Sequence, residues 1–337
     1  MMATRTRHRA TAWWATAGLA ILLLAGAPSA DGAKLNGLAG PTGGLYYQYM
    51  AGLSKIVHDV YPDLEINLSP GGAVANIVRI SRDTTALGTT TLLQSVQALR
   101  ATDDFEGKPP VTNLRVLLSL PDPSYFYPLF RPEVPITNLE DIKTKKLKLR
   151  LGMVPKGSIS EWGWRKLLEF SGISPKDIES FGGKISFTNF SDMVNLMKDG
   201  HLDGMLGVGT AKAGWLVDLT NSRQIHFVPF HEPAVERFIK EYSGSGWSEL
   251  PAGNFKGQEK PFKLFRTYPT TLIVTNESLP EETGYKIVKA VMDNVEKFKL
   301  TNAEGLKDLS LANAWKAGTF QLHKGAAKYF TEKGAMK

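Results

Sequence analysis

Cysteine is absent from all 337 residues. That excludes disulfides, Cys-ligated zinc, thiol catalysis and lipid attachment through a thiol. Other absences narrow the chemistry further. No Gly-Lys-Ser/Thr ends a glycine-rich run, so there is no P-loop. No G-x-S-x-G is present, so there is no nucleophile elbow. "GVGTAKAG" (207–214) approximates a dinucleotide fingerprint, but Lys212 stands where the third glycine belongs, and the stretch reads as a buried strand and a turn. Of six histidines, only His226 and His231 lie close together, beside Glu232; their spacing is not the i, i+4 of a helical zinc pair, and Pro229 and Pro233 intervene. The carboxylate pairs Asp103-Asp104 and Glu281-Glu282 sit in polar or helix-start settings and read as solvated. The residues support neither an enzyme nor a cofactor or metal. The one dense basic run, "KTKKLKLR" (143–150), alternates with leucine as a half-buried strand with a solvated lysine face. Nucleic-acid binding needs more such clusters with aromatic residues among them.

The N-terminus carries a positive signal. Arg5, Arg7 and Arg9 precede an apolar run from Ala12 to Ala27, and small residues follow at Ala27, Ser29, Ala30, Gly32 and Ala33. This is the order of a secretory signal peptide, with cleavage expected within 29–33. The run is short for a membrane anchor, which needs about 20 residues, and no other apolar run is long enough to span. The mature protein is expected to be soluble in the periplasm and monomeric. Removal of residues 1–33 takes three arginines and Asp31 from a net charge of +7 and leaves +5, a balance suited to an anionic ligand.

Strand and helix patterns then alternate. Leu45, Tyr49, Leu53, Ile56, Val57 and Val60 recur at helical spacing; "LEINLSP" (64–70) reads as a strand; Ala73 to Ser81 reads as a second helix. The same alternation continues through "LRVLLSL" (114–120), the helix in 156–172, and "LDGMLGVG" (202–209). It predicts α/β units with mainly parallel sheet. Ligands in such sheets bind at the carboxyl ends of strands, beside helix N-termini. Three glycine-containing turns therefore matter: 40–46, 69–74 and 155–160. Each offers backbone N–H groups at the positive end of a helix, and several converging would hold an anion without a charged side chain. Taken singly, glycine at such a turn equally serves backbone geometry.

Several ordered stretches resemble one known family, the extracytoplasmic solute receptors of TRAP transporters, TAXI type. The likeness runs over residues 36–334. "TGGLYYQYMAGLSKIV" (42–57) resembles the family's Gly-Gly-x-Tyr-Tyr helix, and "SPGGAVANI" (69–77) its second Gly-Gly turn. "LEDIKTKKLKLRLG" (139–152) is similar to its entry into the second lobe, and "NFSDMVNLMKDGHLDGMLGVG" (189–209) to its helix–Asp-Gly–strand unit. "LPAGNFKGQ" (250–258) resembles Pro-Ala-Gly-x-Tyr-x-Gly-Gln, the most specific of these motifs. The chain departs from the family at Thr91, where a Gln is usual, at Pro155-Lys156-Gly157-Ser158, where Gly-Ser-Gly-Thr is usual, and at Lys212 and Trp215, which follow Gly209 where the family has a proline.

The resemblance implies an α/β, two-lobe, type II periplasmic-binding-protein-like fold with hinge strands. Residues 34–122 plus 228–337 are expected to form lobe one, and 123–227 lobe two. It implies a receptor that captures a small organic anion, a carboxylate or amino acid such as glutamate or 2-oxoglutarate, and delivers it to a Na⁺-driven TRAP permease. The ligand-binding residues so implied are Thr42, Gly43, Gly44, Leu45, Tyr46, Tyr47, Gly72, Ala73, Asn76, Thr89, Thr90 and Thr91 in lobe one. Lys156, Gly157, Ser158, Gly209 and Thr210 are those of lobe two. One of Tyr46 and Tyr47 is expected in the pocket and the other in the core; Lys156 faces either the ligand or water. A receptor for a membrane sensor is the alternative within the binding class. A periplasmic hydrolase is the alternative outside it, and it lacks a nucleophile–base pair.

Overall fold

Two mixed sheets organise the chain. The computed structural model describes Met2 and residues 33–242, 244–267 and 270–336; the expected signal peptide and its cleavage site fall outside these, apart from Met2 and Ala33. In chain order the elements begin with Ala33–Leu38 (β1), Leu45–Val60 (α1), Leu64–Ser69 (β2), Ala73–Ile80 (α2), Ala86–Thr91 (β3) and Leu92–Arg100 (α3). Then come Leu114–Leu120 (β4), Ser124–Phe130 (β5), Asp141–Thr144 (α4), Arg150–Met153 (β6), Ile159–Phe170 (α5), Pro175–Ser180 (α6), Lys184–Phe187 (β7) and Phe190–Lys198 (α7). Gly204–Gly209 (β8), Gly214–Ser222 (α8), His226–Phe227 (β9), Glu232–Glu241 (α9), Ser245–Leu250 (β10) and Phe262–Thr267 (β11) follow. Thr271–Asn276 (β12), Glu281–Asp293 (α10), Val295–Lys299 (α11), Ala303–Leu306 (α12) and Lys324–Glu332 (α13) complete the chain.

The first sheet has the order β2-β1-β3-β12-β4, and the second β10-β11-β5-β8-β6-β7 with β9 beside β5. The βαβ units are parallel, as the alternation predicts: β1 with β2 and β3, and β6 with β7 and β8. The strands that follow or precede a crossing between sheets are not. β12 runs antiparallel to β3 and β4, and β5 antiparallel to β8. The sheets are therefore mixed rather than mainly parallel, because a chain that crosses and returns must enter each sheet against its neighbours.

The chain crosses after β4, through Pro121–Pro123, and returns between Thr267 and Thr271. The expected return at residue 228 does not occur there. Residues 229–267 stay with the second sheet because their aromatic side chains fill its core: Phe230 stacks on Trp164 at 5.9 Å, and Phe238 and Phe265 pack at 5.0 Å. Pro229 and Pro233, which break the pattern in sequence, lie just before α9 and in its first turn, within that lobe.

Each sheet is covered on both faces. Leu53, Ile56 and Val57 of α1 meet Val288 and Val291 of α10 on one side of the first sheet, while Ile77 and Ile80 of α2 lie on the other. The tryptophans of α5, Trp162 and Trp164, are buried on one face of the second sheet; Met193, Met197 and Leu216 are buried on the other. The basic run differs from its expected form. Only Arg150 and the residues after it are strand; 143–149 are the end of α4 and a turn, with Lys146 at φ 49°. Among the described residues no helix is long and apolar enough to cross a membrane.

Candidate functional site

The three glycine turns meet in one cavity between the sheets. From the first lobe it is lined by Pro41, Gly44, Leu45 and Tyr46 at the start of α1 and by Gly72 and Ala73 at the start of α2. The second lobe contributes Ser158, Ile159 and Ser160 at the start of α5, Phe190 at the start of α7, and Val208 and Gly209 at the end of β8. Ser124 and Phe126 of β5 and Thr267 of β11, beside the two crossings, complete the wall. The cavity holds about 40 Å³, room for about three water molecules on the scale where one needs 10–15 Å³. A smaller void of about 10 Å³ adjoins it, sharing Leu45 and Gly209 and reaching Gly43, Gln48, Thr210 and Asn302.

The lobes touch directly beside this cavity. The Val74 N–H donates to the Gly157 carbonyl at 2.9 Å. Gly72 permits that approach: a Cβ there would stand 2.7 Å from the Gly157 oxygen. Gly157 itself has φ +86°, a left-handed conformation that favours glycine. Glycine in the second and third turns therefore serves close packing as much as anion binding.

The helix starts differ in how they are satisfied. Ser158 caps α5, its side chain accepting from the Glu161 N–H. At α2 the Gly72 N–H donates to the Asn76 side chain at 3.3 Å, and Val74 is engaged by Gly157. No side chain caps α1, whose N-cap is Gly44. First-turn N–H groups have no partner within a helix, so the α1 terminus presents them to the cavity.

The expected ligand residues divide accordingly. Gly44, Leu45, Tyr46, Gly72, Ala73, Ser158 and Gly209 line the main cavity, and Gly43 and Thr210 the smaller one. Tyr46 is the tyrosine that faces it; Tyr47 packs on the margin of the first lobe's core. Thr42 is exposed outside the lining. Asn76 is fully buried and donates to the carbonyls of Leu38, Ala39 and Thr89, so it ties strand ends together behind the cavity. Thr90 donates to the Ala73 carbonyl, and Thr91 caps α3. Thr89 is fully buried in β3 and outside the lining. Lys156 turns to the outer face, 5.4 Å over the Phe187 ring, and Lys212 is exposed. Trp215 stacks behind Phe190 at 5.1 Å.

Ser124, Phe126, Ser160, Phe190 and Thr267 are lining residues that sequence reasoning passed over. Phe190 had a signal: it opens the helix after Asn189, at the same carboxyl edge of the second sheet as the 155–160 turn. Ser124 and Thr267 had none, because their pairing in β5 and β11 is visible only in the sheet.

One ionisable group lies just behind the site. Asp122, in the first crossing, is buried; its Oδ1 accepts from the Thr271 N–H at 3.2 Å and its Oδ2 from the Thr271 hydroxyl at 2.9 Å. It therefore joins the two crossings. Burial pushes its carboxyl up to about 8, against the lowering effect of Thr271. Tyr46 and Tyr49 face it, and burial followed by the Asp122 charge holds both phenols above their ordinary range. Among the described residues no group of three or more His, Asp or Glu is placed to hold a metal.

A model of the NMT1-like family matches residues 38–334. The chain belongs to the NMT1-like family. The fold of this NMT1-like chain is similar to that of solved structures. MatC from Rhodopseudomonas palustris, with bound malate, gives a TM-score of 0.51 at 12% identity, covering 81% of this chain and 88% of its own. The periplasmic binding protein BugD gives 0.48 at 14% identity over 90% of this chain and 97% of its own. The two-sheet α/β arrangement is similar to that of the MatC structure. At such identity the likeness is one of fold.

Proposed function

We propose that this NMT1-like chain is an extracytoplasmic solute receptor whose two lobes close on a small organic anion. The observation that carries the reading is the cavity between the sheets, where the starts of α1, α2 and α5 converge from both lobes. Helix N-termini attract anions through their N–H groups and dipoles, and a concave site between lobes is the usual place for a ligand. Closure is a hinge motion about the two crossings, one at 121–123 and one between Thr267 and Thr271. The expected signal peptide supports a periplasmic location. The Gly-Gly-Leu-Tyr-Tyr and Pro-Ala-Gly-Asn-Phe stretches, similar to those of TAXI receptors, support a Na⁺-driven TRAP permease as the partner.

Thermal-shift and calorimetric titration of the mature protein against carboxylates, amino acids, sugars and amines tests this. At 100 times Kd a ligand stabilises by about 2.7 kcal/mol, a readily measured shift. Stabilisation by a sugar or amine and by no anion would overturn the reading.

A further inference from the structure

We infer that the cavity selects a short-chain monoanion, one oxyanion group on an apolar body of a few carbons, with the anionic end on the N-terminus of α1 beside the Thr210 hydroxyl. The inference rests on the receptor reading above and narrows its ligand class.

Three observations carry it. First, of the three helix starts that converge, two are engaged by the protein itself. Gly157 and Asn76 occupy N–H groups of α2, and Ser158 caps α5. Of these three, only α1 lacks both a side-chain cap and a carbonyl from the opposite lobe; its Gly44 N–H donates to the Pro41 carbonyl at 3.0 Å, and the first-turn N–H groups that follow are left for a ligand. Second, Thr210 adjoins that helix start. The residue is 2% exposed and borders the small void that shares Leu45 and Gly209 with the main cavity, and its hydroxyl has no hydrogen-bond partner. A buried hydroxyl without a partner costs stability, and an oxyanion on α1 would accept from it. The Thr210 backbone is fixed for this: its carbonyl accepts from the Tyr127 hydroxyl at 3.0 Å, and the next carbonyl, that of Ala211, accepts from Asn254 at 2.7 Å. Third, the rest of the lining is uncharged. Among the described residues no Lys, Arg, His, Asp or Glu lines the main cavity. Beyond α1 the lining mixes Phe126, Ile159, Phe190 and Val208 with Ser124, Ser158, Ser160 and Thr267, and a second carboxylate buried there would have no cation to pair with, which is costly.

Calorimetry on the mature protein tests this with propionate, butyrate and isobutyrate, the dicarboxylates malonate, succinate and 2-oxoglutarate, L-glutamate, and the neutral amide butyramide. The expected result is a monocarboxylate that binds at least tenfold tighter than the dicarboxylate of equal carbon number and than its own amide. A dicarboxylate that binds as tightly or more tightly overturns the monoanion inference and leaves the anion receptor standing. An amide equal to its acid overturns the anion reading itself. No binding by any monocarboxylate also overturns the inference. Thr210→Val is expected to weaken the monocarboxylate at least fivefold while the ligand-free protein keeps or gains melting temperature, since the lost hydroxyl had no partner. Unchanged affinity in that variant removes Thr210 from the site.

Discussion

The buried carboxyl at the crossings makes stability depend on pH in a direction opposite to that of most acidic groups. Asp122 is 2% exposed and its carboxyl is pushed up to about 8. In the unfolded chain it titrates at the ordinary carboxylate value of 3.8. Between these values the folded protein holds a proton that the unfolded chain has lost. The stability linked to this group is complete below about pH 4 and is lost as pH rises through 8. One pH unit corresponds to about 1.4 kcal/mol, so the loss between pH 4 and pH 7 is about 4 kcal/mol. Asp122→Asn removes the ionisation and keeps an oxygen that accepts from Thr271. Urea unfolding of the mature protein at pH 5, 6, 7 and 8, followed by tryptophan fluorescence, is the assay; buried Trp162 and Trp164 report the second lobe. The stability of the variant minus that of the natural protein should grow with pH, by up to about 1.4 kcal/mol per unit. A difference constant across this range would show that the carboxyl ionises normally in the folded state and refute the reasoning.

Three further outcomes test the arrangement around the cavity. Gly72→Ala places a Cβ 2.7 Å from the Gly157 oxygen; it should hold the lobes apart, weaken ligand binding at least tenfold in calorimetry and enlarge the radius of gyration in solution scattering. Asn76→Ala removes the two amide N–H groups shared among three strand-end carbonyls and the oxygen that accepts from the Gly72 N–H, so urea unfolding should show a loss of about 3 kcal/mol at about 1 kcal/mol per bond. Asp104→Asn breaks the 2.7 Å pair with Arg165, which ties the segment after α3 to α5 in the other lobe beside the 3.2 Å pair of Asp103 with Lys166. It should raise the ligand Kd about fivefold, the equivalent of about 1 kcal/mol, and the natural protein should lose affinity with added salt while the variant loses less.

What the sequence displays of this site is its backbone, and what it hides is which partner each backbone group meets. The turns at 40–46, 69–74 and 155–160 are legible because each places glycine between a strand pattern and a helix pattern, and all three reach the cavity. Their chemistry is not equally legible. Gly44 leaves α1 without a side-chain cap, whereas Gly72 leaves α2 open to Gly157, a residue from the opposite lobe that no local pattern connects to it. Lys156 shows the same limit in a side chain. It lies one residue before Gly157, whose left-handed backbone turns the chain, and it ends over Phe187 on the outer face. The most specific motif, 250–258, is structural: Gln258 donates to the Pro251 and Lys260 carbonyls and accepts from the Asn254 N–H, closing the loop on itself. It reaches the cavity indirectly, through Asn254 on the Ala211 carbonyl beside Thr210 and through Phe255, which packs on Tyr127 at 6.2 Å. The repeat of glycine turns suggests three equivalent anion poles. The contact between Val74 and Gly157 takes up part of one of them, and no residue in the motif foretells it.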